Sequence, residues 1–168
     1  SNRTMIMVML TDARHDKQLW SEEYLWDNDR LTSTVSDIVK KIAGRCNVPI
    51  SREEMRQIDS APTKSNDAYM NFLSANVTYN EAWNLFNTGS TMLKSENIRS
   101  AIADYDRAIM YDSLFAEAYA RRSIAISWGY YTGDLDSSEY KEKSRNDIIK
   151  SLSLDPDLIE AHIAWGFY

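Results

Sequence analysis

Ala101-Ile-Ala-Asp-Tyr-Asp-Arg-Ala108 is the stretch on which the fold turns. Ala101, Tyr105 and Ala108 follow one another at spacings of four and three, which sets a small, an aromatic and a small side chain along one helical face. Downstream, Ala116-Glu-Ala-Tyr119 and Ile159-Glu-Ala-His162 open two similar segments, 43 residues apart. The residues just before them, Ile109-Met-Tyr-Asp112 and Leu152-Ser-Leu-Asp155, correspond as well. Self-similarity at this period is the mark of a helical repeat, in which each unit buries its apolar face against its neighbour.

Working towards the amino terminus, residues 67–94 contain no Pro and no Gly before Gly89, which fits either one long helix or two meeting near Asn76 to Thr78. Ser60-Ala-Pro-Thr-Lys-Ser65 reads as a linker. The chain thus divides into a first part over 1–60, a linker over 61–66 and helical repeats over 67–168. In the first part, Thr4-Met-Ile-Met-Val-Met-Leu-Thr11 has apolar residues at both alternating positions and predicts a strand covered on both faces. A polar connection over 12–17 leads to Leu19–Trp26, where Trp20, Tyr24 and Trp26 share one side, so the pair predicts a β-hairpin. Leu31, Val35, Ile38, Val39 and Ile42 follow helical spacing, with Gly44 as the stop. Ser51 and Glu54 have the spacing of a capping box opening a short helix. The predicted fold class is therefore mainly α: a helical repeat superhelix behind a small hairpin plus helix. Two strands make a thin sheet, which suggests that more sheet lies upstream in a longer protein. The orphan strand edge is a candidate for homodimer formation.

The 168 residues are 43% hydrophobic and 26% charged, with five Gly and three Pro, as in folded globular proteins. The net charge of −6, with basic and acidic residues interleaved, argues against a nucleic-acid partner. The longest apolar run, Met5–Leu10, is too short to span a membrane, so no membrane contact is expected of this segment. A single cysteine, Cys46, allows no internal disulfide and leaves the compartment undecided between cytoplasm and periplasm. No phosphate loop, zinc motif or nucleophile triad is present, so the chain reads as a non-enzyme with no catalytic residues, no metal site and no cofactor. His15 reads as a surface-turn residue, His162 as a half-buried packing residue and Cys46 as a small, partly buried side chain.

The repeats resemble the tetratricopeptide repeat, a 34-residue helix–turn–helix unit. With Ala82 as position 1 of the first unit, Leu85, Gly89, Ala101, Tyr105 and Ala108 fall on that family's packing positions, with Ser113 where the family has Pro. The second unit opens at Ala116, carries Ser123 at the small-residue position, and ends at Asp155-Pro156. It holds about nine extra residues, placed in 129–138. A half unit with His162 and Gly166 follows. The resemblance implies close approach of paired helices at the small residues Gly89 and Ala101. It also implies a concave partner-binding groove formed by Trp83, Phe86, Ser90, Glu117, Ala120, Ile124, Trp128 and Ile163, joined by Leu93, Lys94, Ser127, Glu160 and Phe167. The partner implied is a protein or peptide. Phe86 and Ser90 exclude the subtype of groove that clamps chaperone tails, which needs Lys and Asn at those positions.

A second resemblance covers roughly residues 5 to 75. Leu10-Thr-Asp-Ala-Arg14, Leu19-Trp20, Tyr24, the following helix, and Pro62-Thr63 leading to Ala68-Tyr69 are similar to the closing stretch of the TolB amino-terminal-like domain. That domain precedes tetratricopeptide repeats in bacterial adenylate cyclase-like, kinase-like and winged-helix regulatory proteins. It implies that the hairpin and the helices behind it are the end of a larger α/β domain, and that the chain is a regulatory or sensor arm whose catalytic or DNA-binding domain lies outside it.

Overall fold

The computed structural model describes residues 5–25, 30–89, 94–136 and 138–168. They form two compact units, Ser1–Ala61 and Pro62–Tyr168. The architecture is mainly helical, with a two-stranded antiparallel hairpin at the start.

In the first unit, β1 (Met5–Asp12) pairs with β2 (Lys17–Leu25) from Met5 opposite Leu25 to Leu10 opposite Trp20. A bulge beside Leu10 then shifts the register, so that Thr11 faces Gln18. The turn closes through Asp16, which takes a left-handed φ of 47°, and through Asp12, whose carboxylate accepts the Arg14 N–H at 2.9 Å. Helix α1 (Leu31–Arg45) packs on β2, and Lys41 joins Glu22, Asp37 and the Tyr24 ring in one cluster. Only one face of the hairpin is covered, contrary to the expectation of cover on both. Ile6, Val8 and Leu10 are half-buried, whereas Met5, Met7 and Met9 are exposed. Gly44 does not stop α1 either. It lies inside the helix, and Asn47 at φ 54° takes the left-handed position instead. The N–H groups of Asn47 and Val48 return to the carbonyls of Gly44 and Ala43, a Schellman closure. Asn tolerates that conformation because its short polar side chain meets little steric cost there. Helix α2 (Arg52–Asp59) opens with the expected capping box: Ser51 N–H to Glu54 at 2.8 Å and Glu54 N–H to Ser51 at 3.2 Å. Asp59 accepts hydrogen bonds from Ser36 and Lys40, which ties α2 back to α1.

The second unit contains α3 (Asn66–Asn87), α4 (Lys94–Tyr111), α5 (Ala116–Tyr131), α6 (Ser138–Leu154) and α7 (Ile159–Phe167). Each helix packs on the next in sequence from α3 to α7, and α7 also lies against α5. Residues 66–87 form one 22-residue helix, which decides between the two readings of that stretch. Ser65 caps it by accepting the Ala68 N–H. Thr63 is buried and donates to the Asp112 carboxylate beyond the end of α4, so the latter part of the expected linker is anchored to the helical unit.

The close approach of α3 and α4 is not made where the sequence placed it. Gly89 lies beyond α3 with a φ of 74°, and a Cβ there would meet nothing within 4 Å. Gly89 therefore closes the helix, as glycines do where the backbone turns left-handed. The small residue packed against α4 is Ala75, fully buried in the same cluster as Ala101. It is flanked by the cross-helix bonds Ser74 to Asp104 at 2.8 Å, Tyr105 to Asn76 at 2.6 Å, and Arg107 to Asn71 at 3.0 Å. Ala82, expected to open the first helix, sits well inside α3 and is buried. The close contact lies 14 residues earlier (89 − 75), about 21 Å along the helix at 1.5 Å per residue.

Between α5 and α6 the small residue is Ser123, as expected. Its hydroxyl lies 2.9 Å from that of Ser144, which in turn lies 2.8 Å from that of Ser127. Beside this trio, Arg122 forms a two-pronged pair with Asp147 at 2.8 and 2.6 Å and also reaches Asp106, which Lys143 pairs with at 3.0 Å. The group joins α4, α5 and α6. The stretch expected to hold the extra residues partly extends α5 to Tyr131 and partly folds back. Gly133, at φ 75°, turns the chain so that Leu135 enters the core at 2% exposure. Asp134 and Leu135 both donate to the Gly129 carbonyl, at 2.9 and 3.0 Å. A Cβ on Gly129 would lie 2.9 Å from Leu135 Cδ1 and 3.0 Å from Ile98 Cγ2. Gly129→Ala is therefore expected to lower stability by about 1–2 kcal/mol through overpacking, whereas Gly166→Ala, in open space on α7, is neutral or slightly stabilising. Urea midpoints of the two variants check this contrast.

Candidate functional site

Helices α3, α5 and α7 meet along a shallow cleft lined by Tyr79, Asn80, Trp83, Arg121, Ile124, Ile163 and Phe167. The expected groove residues divide by exposure. Ala120, Ile124 and Trp128 are buried at 0, 6 and 3% exposure. Trp83, Phe86 and Ile163 remain open at 39, 43 and 47%. Ser90 and Leu93 lie outside the described residues, as does the Lys94 side chain.

Trp128 holds the aromatic end together. Its ring lies 5.2 Å from Trp83, 5.6 Å edge-on from Phe86 and 5.6 Å edge-on from Tyr79, between centroids. Tilted and edge-to-face contacts at these distances are the favoured aromatic geometries. Trp83 and Phe86 stand beside Trp128, on the side of α3 that faces α5. Tyr79 and Asn80 were not among the expected groove residues, which began at Trp83. Tyr79 lies one turn before Trp83, and the i, i+4 aromatic spacing was the signal that could have found it.

The other end of the groove is polar. Arg121 reaches Glu160 at 3.3 Å and stands 3.8 Å from Glu117, and its Nε is buried with no hydrogen-bond partner. Two carboxylates share this one guanidinium. Burial raises the Glu117 carboxyl above its ordinary range, and the neighbouring Glu160 charge adds to that, against the pull of Arg121. At 3.8 Å the Arg121 contact is too long for a good charge-assisted hydrogen bond, which is why desolvation prevails. Burial likewise pushes the Tyr79 hydroxyl up to about 12.

The cleft, about 250 Å3, is smaller than the usual small-molecule pocket of about 300–1,000 Å3. Among the described residues there is no cluster of three His, Cys, Asp or Glu placed to hold a metal ion. No helix among them is long and apolar enough to cross a membrane. His15 sits in the hairpin turn with Nδ1 2.6 Å from Asp12. His162 is exposed, where a half-buried position was expected, because its ring turns outward to the Pro156 carbonyl, with Nε2 at 2.9 Å. Cys46 is exposed as well, since the helix closure at Asn47 turns it away from any core.

Trp128→Ala is expected to destabilise the fold by about 3–5 kcal/mol, because it empties the site on which three aromatic rings pack; chemical denaturation measures the loss. Glu117 gives a pH signature. Its folded pKa is raised, so the folded state holds the proton more tightly than the unfolded chain, and stability falls as pH rises above about 4.5 through the folded pKa. Glu117→Gln should flatten that dependence and raise the melting temperature near neutral pH, with the gain absent at pH values below about 4.5 where both states carry the proton. Compared with known families, curated proteins and solved structures, the chain matches no family model, no curated protein and no solved structure.

Proposed function

We propose that residues 62–168 are a tetratricopeptide-type repeat segment and act as a non-catalytic protein-interaction module. A peptide or a segment of a partner protein lies along the cleft between α3, α5 and α7. The observation that carries this reading is a set of exposed apolar side chains, Trp83, Ile163 and Phe167, lining a cleft with the buried Ile124, while exposed Phe86 packs beside them on buried Trp128. Aromatic anchors around a packed base, with a charged group at one end, are the composition of recognition surfaces. The alternation of helices that pack on their sequence neighbours, with α7 returning onto α5, supports the repeat assignment. So do the small residues Ala75 and Ser123 at the helix approaches.

A second reading concerns the whole protein. The similarity of residues 5–75 to the closing stretch of the TolB amino-terminal-like domain, together with a hairpin that leaves one apolar face open, supports a regulatory or sensor arm of a larger bacterial signalling protein. On that reading the groove transmits a signal by holding another domain of the same protein.

Because Trp128 is structural, the groove is tested at its walls. Peptides selected from a random display library on the wild-type chain should lose at least about tenfold in affinity, or 1.4 kcal/mol, with Trp83→Ala. Ile163→Arg should do the same by placing a charge in the apolar wall. Ile163→Arg should unfold close to the wild-type denaturant midpoint, whereas Trp83→Ala, which also removes a ring packed on Trp128, should lower the midpoint while the chain stays folded without denaturant. Selected peptides that bind both variants as tightly as wild type would place recognition elsewhere.

A further inference from the structure

We propose that the outer edge of β1 is a self-association site, at which two copies of this chain pair antiparallel and join their hairpins into one four-stranded sheet. This rests on the hairpin alone and is independent of the groove. Among the described residues β1 has β2 as its only strand neighbour, so its other side presents a row of unpaired backbone N–H and C=O groups. Strand edges are ordinarily protected by charge, proline, bulging or cover. From Met5 to Thr11 the β1 strand has no charge, no Pro and no Gly. β2 is the protected edge. It carries Lys17, Glu22 and Glu23, and it takes up the extra residue of the bulge.

The occupant is a second copy because the strand is complementary to itself. Side chains alternate between faces with a period of two, so an antiparallel pairing about a twofold axis through one residue keeps every side chain on its own face. An axis at Val8, the centre of the uncharged stretch, sets Ile6 opposite Leu10, Met7 opposite Met9 and Met5 opposite Thr11. The half-buried faces of Ile6, Val8 and Leu10 then form one continuous apolar surface, and so do the exposed methionines. No like charges meet within that stretch, which a net charge of −6 would otherwise make a concern. Two strands of eight residues bury less than the roughly 1,200 Å2 at the lower end of standard interfaces, so the dimer is weak, with a dissociation constant of micromolar order.

Sedimentation equilibrium of the 168-residue chain over a wide concentration series provides the test. The wild type should pass from monomer to dimer as concentration rises. The double variant Met7→Lys, Met9→Lys gathers four ammonium groups around the axis at side chains that are 65 and 58% exposed, so the hairpin itself is spared. Its dissociation constant should rise at least about tenfold. Met110→Lys, equally exposed on the other unit, should leave it unchanged. The register has its own readout. In a Cys46→Ser background, an equal mixture of Met7→Cys and Met9→Cys chains should oxidise mainly to the mixed disulfide, because those positions face each other across the axis. A wild type that stays monomeric, a double variant that dimerises as the wild type does, or a mixed disulfide no more abundant than the half of the product that random pairing gives would overturn the proposal.

Discussion

In the second unit small buried side chains are set among large ones such as Phe72, Tyr105 and Trp128, and the small ones are where two helices can approach closely. Ala75 and Ala101 serve α3 and α4, and Ser123 and Ser144 serve α5 and α6. Much else follows from that constraint. Serine at a buried crossing carries a hydroxyl that must find a partner, since an unsatisfied one costs about 1–3 kcal/mol. Ser123, Ser127 and Ser144 satisfy each other. Gly129 extends the same logic to the loop after α5, where the missing side chain is what admits Leu135 and Ile98.

Close approach also decides where charge can be buried. Arg122 is 10% exposed and lies among three helices, a position that is tolerable only with full compensation. Asp147 meets it with two parallel hydrogen bonds, and Asp106, shared with Lys143, supplies the remainder. Burial, with the nearby Asp106 charge, raises the Asp147 carboxyl above its ordinary range against the pull of Arg122 and Lys143. A buried pair of this kind is weak evidence for net stability, but it distinguishes one arrangement of α4, α5 and α6 from others that a purely apolar surface would allow. Arg121, the next residue along, points to the other side of α5 and meets Glu117 and Glu160 in the cleft. Consecutive arginines on one helix therefore serve packing and surface chemistry respectively.

The two units solve different problems. Helices close their own hydrogen bonds and need only to cover an apolar stripe, which α3 to α7 do by stacking on one another. A two-stranded sheet leaves half its backbone groups and one face without a partner, and α1 covers only the side bearing Ile6, Val8 and Leu10. The apolar methionines of the open face, together with the uncharged β1 edge, set the first unit apart from an ordinary surface hairpin. In the second unit the exposed apolar groups stand instead on a packed base. Trp128 belongs to the core and also packs on the exposed rings of Trp83 and Phe86, so core packing and the shape of that surface are coupled through one ring.

Local period was legible in the sequence. The hairpin, the capping box at Ser51 and Glu54, the openings of α5 and α7 at Ala116 and Ile159, and the direction in which Trp83 and Phe86 face all follow from spacings of two or 3.6, which the chain carries within a few residues. What the sequence could not settle is which residue on one helix meets which on another. Glycine is small and is also free to turn left-handed, so Gly89 and Gly44 each admitted two roles, and only neighbouring backbone decides between them. Gly89 ends α3, Ala75 takes the close contact, and Gly44 leaves the stop of α1 to Asn47. Burial is a similarly collective property. Ile124 and Trp128 are buried while Trp83 and Ile163 stay exposed, because depth depends on how three helices converge, and no periodicity within any one of them encodes that.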